Sequence, residues 1–260
     1  MRHALLTGRR QRDAAWLAES LRDVAPVRVL RIPSPEDTTT NRFKPDGRVW
    51  TDSATIQGRI TYQGNGILVE YNGTDQYAST PDEGTIPQGN GTIDPALSLV
   101  CLANVTDTAN NRVLMSKYSD TGPNREWLWR IDTTDKQSFL AYDESASAFQ
   151  IRTADAATTH GVPRLFGMTY SGVGGANAAN GMTLYENGAL VASTATPNAS
   201  YVAMEDSAAA LAIGVLSIPG GGAQFGQGSF GFVAVYAAAL TAVQHKQVND
   251  IKREYYGLAA

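Results

Sequence analysis

At 260 residues the chain is long enough for one large all-β domain with a sizeable core, and 43% hydrophobic with 18% charged residues is ordinary for a globular protein. Cys101 is the only cysteine, which excludes an intrachain disulfide, and no apolar run approaches the ~20 residues of a membrane span. The net charge of −4 is uneven: residues 1–34 hold seven Arg against three acidic residues, a net of +4, so the remainder holds −8.

A basic arm on an acidic body reads as a segment that docks on a partner. Ala4-Leu5-Leu6 is too short for the apolar part of a signal peptide, and Arg9, Arg10 and Arg12 follow it, so no signal peptide is expected. Gln11 to Ala25 has helical spacing, with Ala14, Leu17, Ala18, Leu21 and Val24 on one face and Trp16 off that stripe. Arg9, Arg10, Arg12, Trp16, Leu17 and Leu21 are therefore the candidate docking residues. Val27 to Ile32 reads as a short strand. The polar, Pro-containing stretch 35–43 reads as a linker between the arm, 1–34, and a main domain, 44–260.

Beyond the linker, strand-like segments follow at short intervals from Arg48 to Tyr236 with turn signals between them. In Arg125 to Ile131, Trp127, Trp129 and Ile131 share one face, and Glu126, Leu128 and Arg130 share the other. The tryptophans are expected in the core; a sugar-stacking platform is the alternative. Cys101, inside Leu97 to Leu102, is expected as a buried thiol. Asn187-Gly188 is the strongest hairpin signal, closing Met182–Glu186 onto Ala189–Ser193. Thr241, with Gln244 three residues on, is a capping-box match opening a last helix. Its inner stripe reads as Val243, Gln247/Val248, Ile251 and Tyr255, with Gly257 as C-cap. Together these features give an all-β sandwich or barrel with an N-terminal helical arm and a short C-terminal helix.

Four phrases occur in order: Glu70-Tyr71-Asn72-Gly73-Thr74-Asp75-Gln76-Tyr77, Leu114-Met115-Ser116-Lys117-Tyr118, Leu184-Tyr185-Glu186-Asn187-Gly188-Ala189-Leu190-Val191, and Phe232 to Tyr236 followed by Leu240-Thr241. In these the chain resembles the laminin-G-like branch of the concanavalin A-like lectin/glucanase superfamily, over about residues 44–258. The resemblance implies a jelly-roll sandwich of two antiparallel sheets. It implies no single function, because its members include glycan-binding modules, glycosidases and parts of phage virions.

The paired carboxylates of the glycosidase members, Glu-x-Asp-x-x-Glu, are missing. Asp143-Glu144 and Glu205-Asp206 are adjacent pairs and read as turn or rim residues. His3, His160 and His245 lack metal-ligand spacing, and Gly220-Gly221-Gly222 lacks the residues of a phosphate loop. The expectation is no enzyme and no cofactor. The resemblance raises calcium at a sandwich edge, with Asp120, Asn124 and Asp143 as the conceivable ligands. Asn72, Asn90, Asn104 and Asn198 head Asn-x-Ser/Thr sequons, read as turn and strand chemistry.

A usually extracellular fold without a secretion signal or disulfides, carrying a basic arm, reads as a structural protein of a bacteriophage virion. It would be a capsid decoration, head-fibre or tail component, localised to the virion and docked by its arm on other virion proteins, with a homo-oligomer plausible. The alternative is a glycan-binding adhesion module for a cell-surface glycan, with a loop rim carrying Tyr118, Asn124, Asn177 and Phe225. A glycoside hydrolase ranks last, and neither nucleic acid nor a membrane is expected as a partner.

Overall fold

A computed structural model describes residues 28–30, 51–52, 59–63, 66–84, 86–106, 109–120, 122, 124–216 and 224–258. The docking residues Arg9, Arg10, Arg12, Trp16, Leu17 and Leu21, the helix expected around them and the 35–43 linker lie outside these.

The described strands are β1 (Arg28–Leu30), β2 (Thr51–Asp52), β3 (Arg59–Gln63), β4 (Gly66–Asn72), β5 (Ala78–Thr80), β6 (Leu97–Val105), β7 (Arg112–Ser119) and β8 (Asn124–Ile131). They continue with β9 (Gln137–Asp143), β10 (Ala148–Ala154), β11 (Arg164–Tyr170), β12 (Met182–Glu186), β13 (Ala189–Leu190), β14 (Ser193–Thr196), β15 (Leu211–Ile213) and β16 (Gln227–Tyr236). A 3-10 turn spans Gly175–Gly181, and helix α1 spans Ala242–Tyr256. All pairings among these described strands are antiparallel. One sheet runs β13-β12-β11-β6-β16-β4-β3, with β1 also paired to β16; the other runs β14-β10-β9-β8-β7-β15-β5-β2.

The two sheets pack face to face over the main core. Trp127 and Trp129 are fully buried there with Phe139, Phe166, Leu99 and Cys101, so the tryptophans are core residues and not a platform. Burying a side chain of this size contributes roughly 2–3 kcal/mol each. β6 is buried on both faces, which explains its nearly continuous apolar run: Leu97, Leu99, Cys101, Ala103 and Val105 face the main core, and Val100 and Leu102 face α1. Burial also pushes the Cys101 thiol pKa far up, so it stays an inert core thiol.

α1 covers the outer face of the first sheet. Thr241 accepts from the Gln244 N–H while the Gln244 side chain accepts from the Thr241 N–H, completing the capping box, and Gly257 closes the helix at φ 61°. Val248 and Ile251 face inward as expected, but Val243 is exposed. His245, Asn249, Lys252 and Tyr256 complete the buried side instead. The inner face is rotated toward these polar residues because His245 stacks on Tyr185 and bonds Thr169. Ser98 ties the strand-to-helix connection down by donating to Ala238 O and accepting from Leu240 N–H, both at 2.9 Å.

At the expected hairpin, Asn187 and Gly188 both take positive φ, 51° and 76°, joining β12 to β13. The chain then leaves that sheet, and β14 pairs with β10 in the other one. The single strand expected over Ala189–Ser193 is therefore broken after Leu190, and Ser193 already belongs to the other sheet. Asn72, Asn90 and Asn198 each accept from the backbone N–H two residues on, the local turn chemistry expected of them.

Candidate functional site

Strand directions decide which loops meet. The 81–96, 119–124, 143–148, 171–181 and 197–210 connections lie at one end of the sandwich, as the β7–β8, β9–β10, β11–β12 and β15–β5 registers require. The segment around Phe225 lies at the other end, because β15 runs away from the first end before Val215 bridges Phe225. Phe225 packs on Tyr77 there, with ring centroids 6.3 Å apart. The rim expected from the sequence is therefore divided: Tyr118, Asn124 and Asn177 share one end, and Phe225 does not join them. Asn177 is exposed on the 3-10 turn beside β10, where Gln150 donates to the carbonyls of Gly175 and Ala176 at 3.2 Å.

Tyr118 and Asn124 bracket the β7–β8 hairpin. Tyr118 is half-buried, edge-on to Tyr142 at 6.0 Å between ring centroids. The Arg125 guanidinium lies 4.1 Å from the centre of the Tyr142 ring. It also grips Glu144 through two bonds, Nε to Oε2 at 2.8 Å and Nη2 to Oε1 at 2.5 Å. That bidentate contact raises the Arg125 pKa and holds the Glu144 carboxyl below its ordinary range. Burial, reinforced by the Asp120 charge, raises the Tyr118 hydroxyl pKa, so the ring stays neutral at physiological pH. The result is a half-buried Tyr118 ring backed by the buried Tyr142 and framed by planar polar groups already locked in orientation, with exposed Asp120 and half-exposed Asn124 beside it.

The irregular 197–210 segment crosses this end and is held by three buried carboxylates. Asp94 accepts from the hydroxyls of Tyr170 and Tyr201 and from Met204 N–H. Burial raises its pKa, against the opposing pull of those bonds. Asp143 accepts from Val202 N–H at 2.8 Å, Ala146 N–H at 2.9 Å and the Ser145 hydroxyl at 3.0 Å. Burial alone would raise its pKa, but these donors together with Ala203 N–H lower it. Both Asp143 oxygens thus point at protein donors. Glu126 accepts from the N–H and hydroxyl of Ser207, both at 2.8 Å.

Glu126 departs from the expected face. In register, Lys117 opposes Trp127 and Tyr118 opposes Arg125, so Glu126 is an extra residue in a bulge, fully buried against Lys117. Among the described residues, no group of three or more His, Cys, Asp or Glu is arranged to hold a metal ion. No described helix is long and apolar enough to cross a membrane.

No family model and no curated protein matches the chain in sequence. Solved structures match its fold. The botulinum neurotoxin serotype G binding domain aligns with a TM-score of 0.59 at 10% identity over 88% of this chain and 51% of that one. A botulinum neurotoxin type C structure, described as entering cells by interaction with two ganglioside molecules, aligns at 0.58 and 9% identity over 89% and 52%. The Trypanosoma rangeli sialidase in complex with difluorosialic acid aligns at 0.59 and 10% identity over 91% and 34%. The chain thus spans about half the length of the toxin binding domains and a third of the sialidase. Over the aligned part it has the same two-sheet β-sandwich fold as these proteins.

Proposed function

We propose that the chain is a non-catalytic carbohydrate-recognition module, binding a cell-surface glycan at the Tyr118 rim. The observation that carries this reading is the Tyr118–Tyr142 pair framed by the Arg125–Glu144 ion pair and flanked by Asp120 and Asn124. A pyranose ring presents one apolar face and a girdle of hydroxyls. The half-buried Tyr118 ring takes the first, and the carboxylate, guanidinium and amide groups beside it take the second. The fold likeness supports the same reading, since its neighbours include proteins described with gangliosides and sialic acid.

Three carboxylates at this end are committed elsewhere: Glu144 to Arg125, Asp143 to backbone donors and Glu126 to Lys117. Carboxylates held in this way are not free to act as the acid and base of a hydrolysis, which favours binding over catalysis. The virion role rests on the basic arm, whose docking residues lie outside the described set, and the structures named above do not bear on it.

A glycan array probed with the full chain and with Tyr118→Ala tests the proposal. Retention of a defined glycan set by the first and its loss by the second is expected. An array blank for the unaltered chain overturns it.

A further inference from the structure

Lys117 and Glu126 form a buried cluster that glycan binding does not use. Both side chains are inaccessible, at 0% exposure. The neighbours of Lys117 across β8 and β15 are Trp127 and Leu211, also wholly buried. Its Nζ contacts Glu126 Oε1, donates to Ser207 O at 2.9 Å and lies 3.0 Å from Asp82 Oδ1. Glu126 Oε2 is buried with no hydrogen-bond partner. Asp82, 26% exposed on its side chain, is oriented by Gln88, which donates to the same Oδ1 at 2.8 Å.

Two carboxylates thus converge on one buried ammonium in apolar surroundings. Charge burial of this kind is expensive, and the orphaned Glu126 oxygen makes it more so. Chemistry offers another end state. An amine shielded from water, held against one carboxyl and touched by a second that can carry protons, is arranged to condense. Burial pushes the Glu126 pKa up to about 7, against the pull of Lys117, so it can accept and release a proton near neutrality.

We propose that Lys117 Nζ and Asp82 Cγ join in an intramolecular amide cross-link, with Glu126 as the proton carrier. The N–C bond forms as the ammonium gives up two of its three protons. Glu126 relays them to one Asp82 oxygen, whose bond to Cγ breaks with its electron pair, and that oxygen leaves as water. The third proton stays on the amide nitrogen, and Glu126 ends as it began. One positive and one negative charge disappear, so the net charge is unchanged and no oxidant or reductant is needed. The cross-link ties the 81–96 connection to β7, restricting the unfolded chain as a disulfide would in a protein whose single cysteine permits none.

Denaturing intact-mass spectrometry of the purified full chain is the test. The unaltered chain is expected one water lighter than its sequence, and Lys117→Arg and Glu126→Gln are expected at full sequence mass. A tryptic digest is expected to contain a branched peptide joining the segments that carry Asp82 and Lys117, a readout that needs no variant to fold. The unaltered chain at full sequence mass overturns the proposal, as does a lost water that persists in Lys117→Arg or a digest without the branched peptide.

Discussion

His245 is 2% exposed, its ring stacked on Tyr185 with centroids 3.9 Å apart and its Nε2 2.9 Å from the Thr169 hydroxyl. Burial lowers its pKa from 6.5 to about 4. The folded chain therefore keeps the ring neutral where the unfolded chain has already protonated it. The stability this gives is fully present above 6.5 and is lost as pH falls from 6.5 toward 4, at about 1.4 kcal/mol per pH unit, or about 3 kcal/mol in all. Glu126 works in the opposite direction. Its pKa is raised from 4.5 to about 7, so its protonated form favours the folded state at low pH and that contribution is lost as pH rises through 7. A pH profile of the unaltered chain alone would mix the two. Urea denaturation of the unaltered chain and of His245→Phe, which keeps a ring against Tyr185 but cannot titrate, isolates the histidine. The stability advantage of the unaltered chain is expected to shrink by about 3 kcal/mol between about pH 8 and about pH 4. A difference that does not change with pH would refute a buried, neutral His245.

Thr241→Ala removes the side-chain half of the capping box and is expected to cost about 1 kcal/mol in urea denaturation. Gly228 has φ 136°, and a Cβ there would lie 2.1 Å from Asn104 O, so Gly228→Ala is expected to cost more than about 2 kcal/mol, read as a lowered Tm. Asp143→Ala leaves the N–H groups of Ala146 and Val202 without their acceptor; a loss of about 2–3 kcal/mol and faster amide exchange at those two residues are expected. Tyr118→Ala is expected to weaken glycan binding about 10-fold or more with the Tm nearly unchanged, whereas Phe225→Ala, at the other end, leaves binding as it was.

The architecture was legible because its signals are local. Period-two alternation placed the Trp127–Trp129 face, Asn187-Gly188 placed a hairpin, and Thr241 with Gln244 placed the start of α1. Long-range facts were not. Nothing local says that the chain changes sheets between Leu190 and Ser193, or that β15 carries Phe225 away from the Tyr118 end. Glu126 fits strand alternation as an outward residue, and only the bulge opposite Lys117 and Tyr118 buries it. Asp94 sits in a polar stretch that reads as a loop, so its contacts with Tyr170, Tyr201 and Met204, which join segments distant in sequence, appear only once the strands are paired. Val243 fits the helical spacing but lies on the exposed side, because His245 and Asn249 are held inward by partners on other elements.

Backbone amide chemical shifts of the isotope-labelled full chain, titrated with a sialylated oligosaccharide and with neutral oligosaccharides selected on the array, test the central claim most directly. Saturable shifts confined to residues 118–125 and 142–146 are the expected result. Shifts centred on the 214–226 end, or none with any of these sugars, would contradict the account.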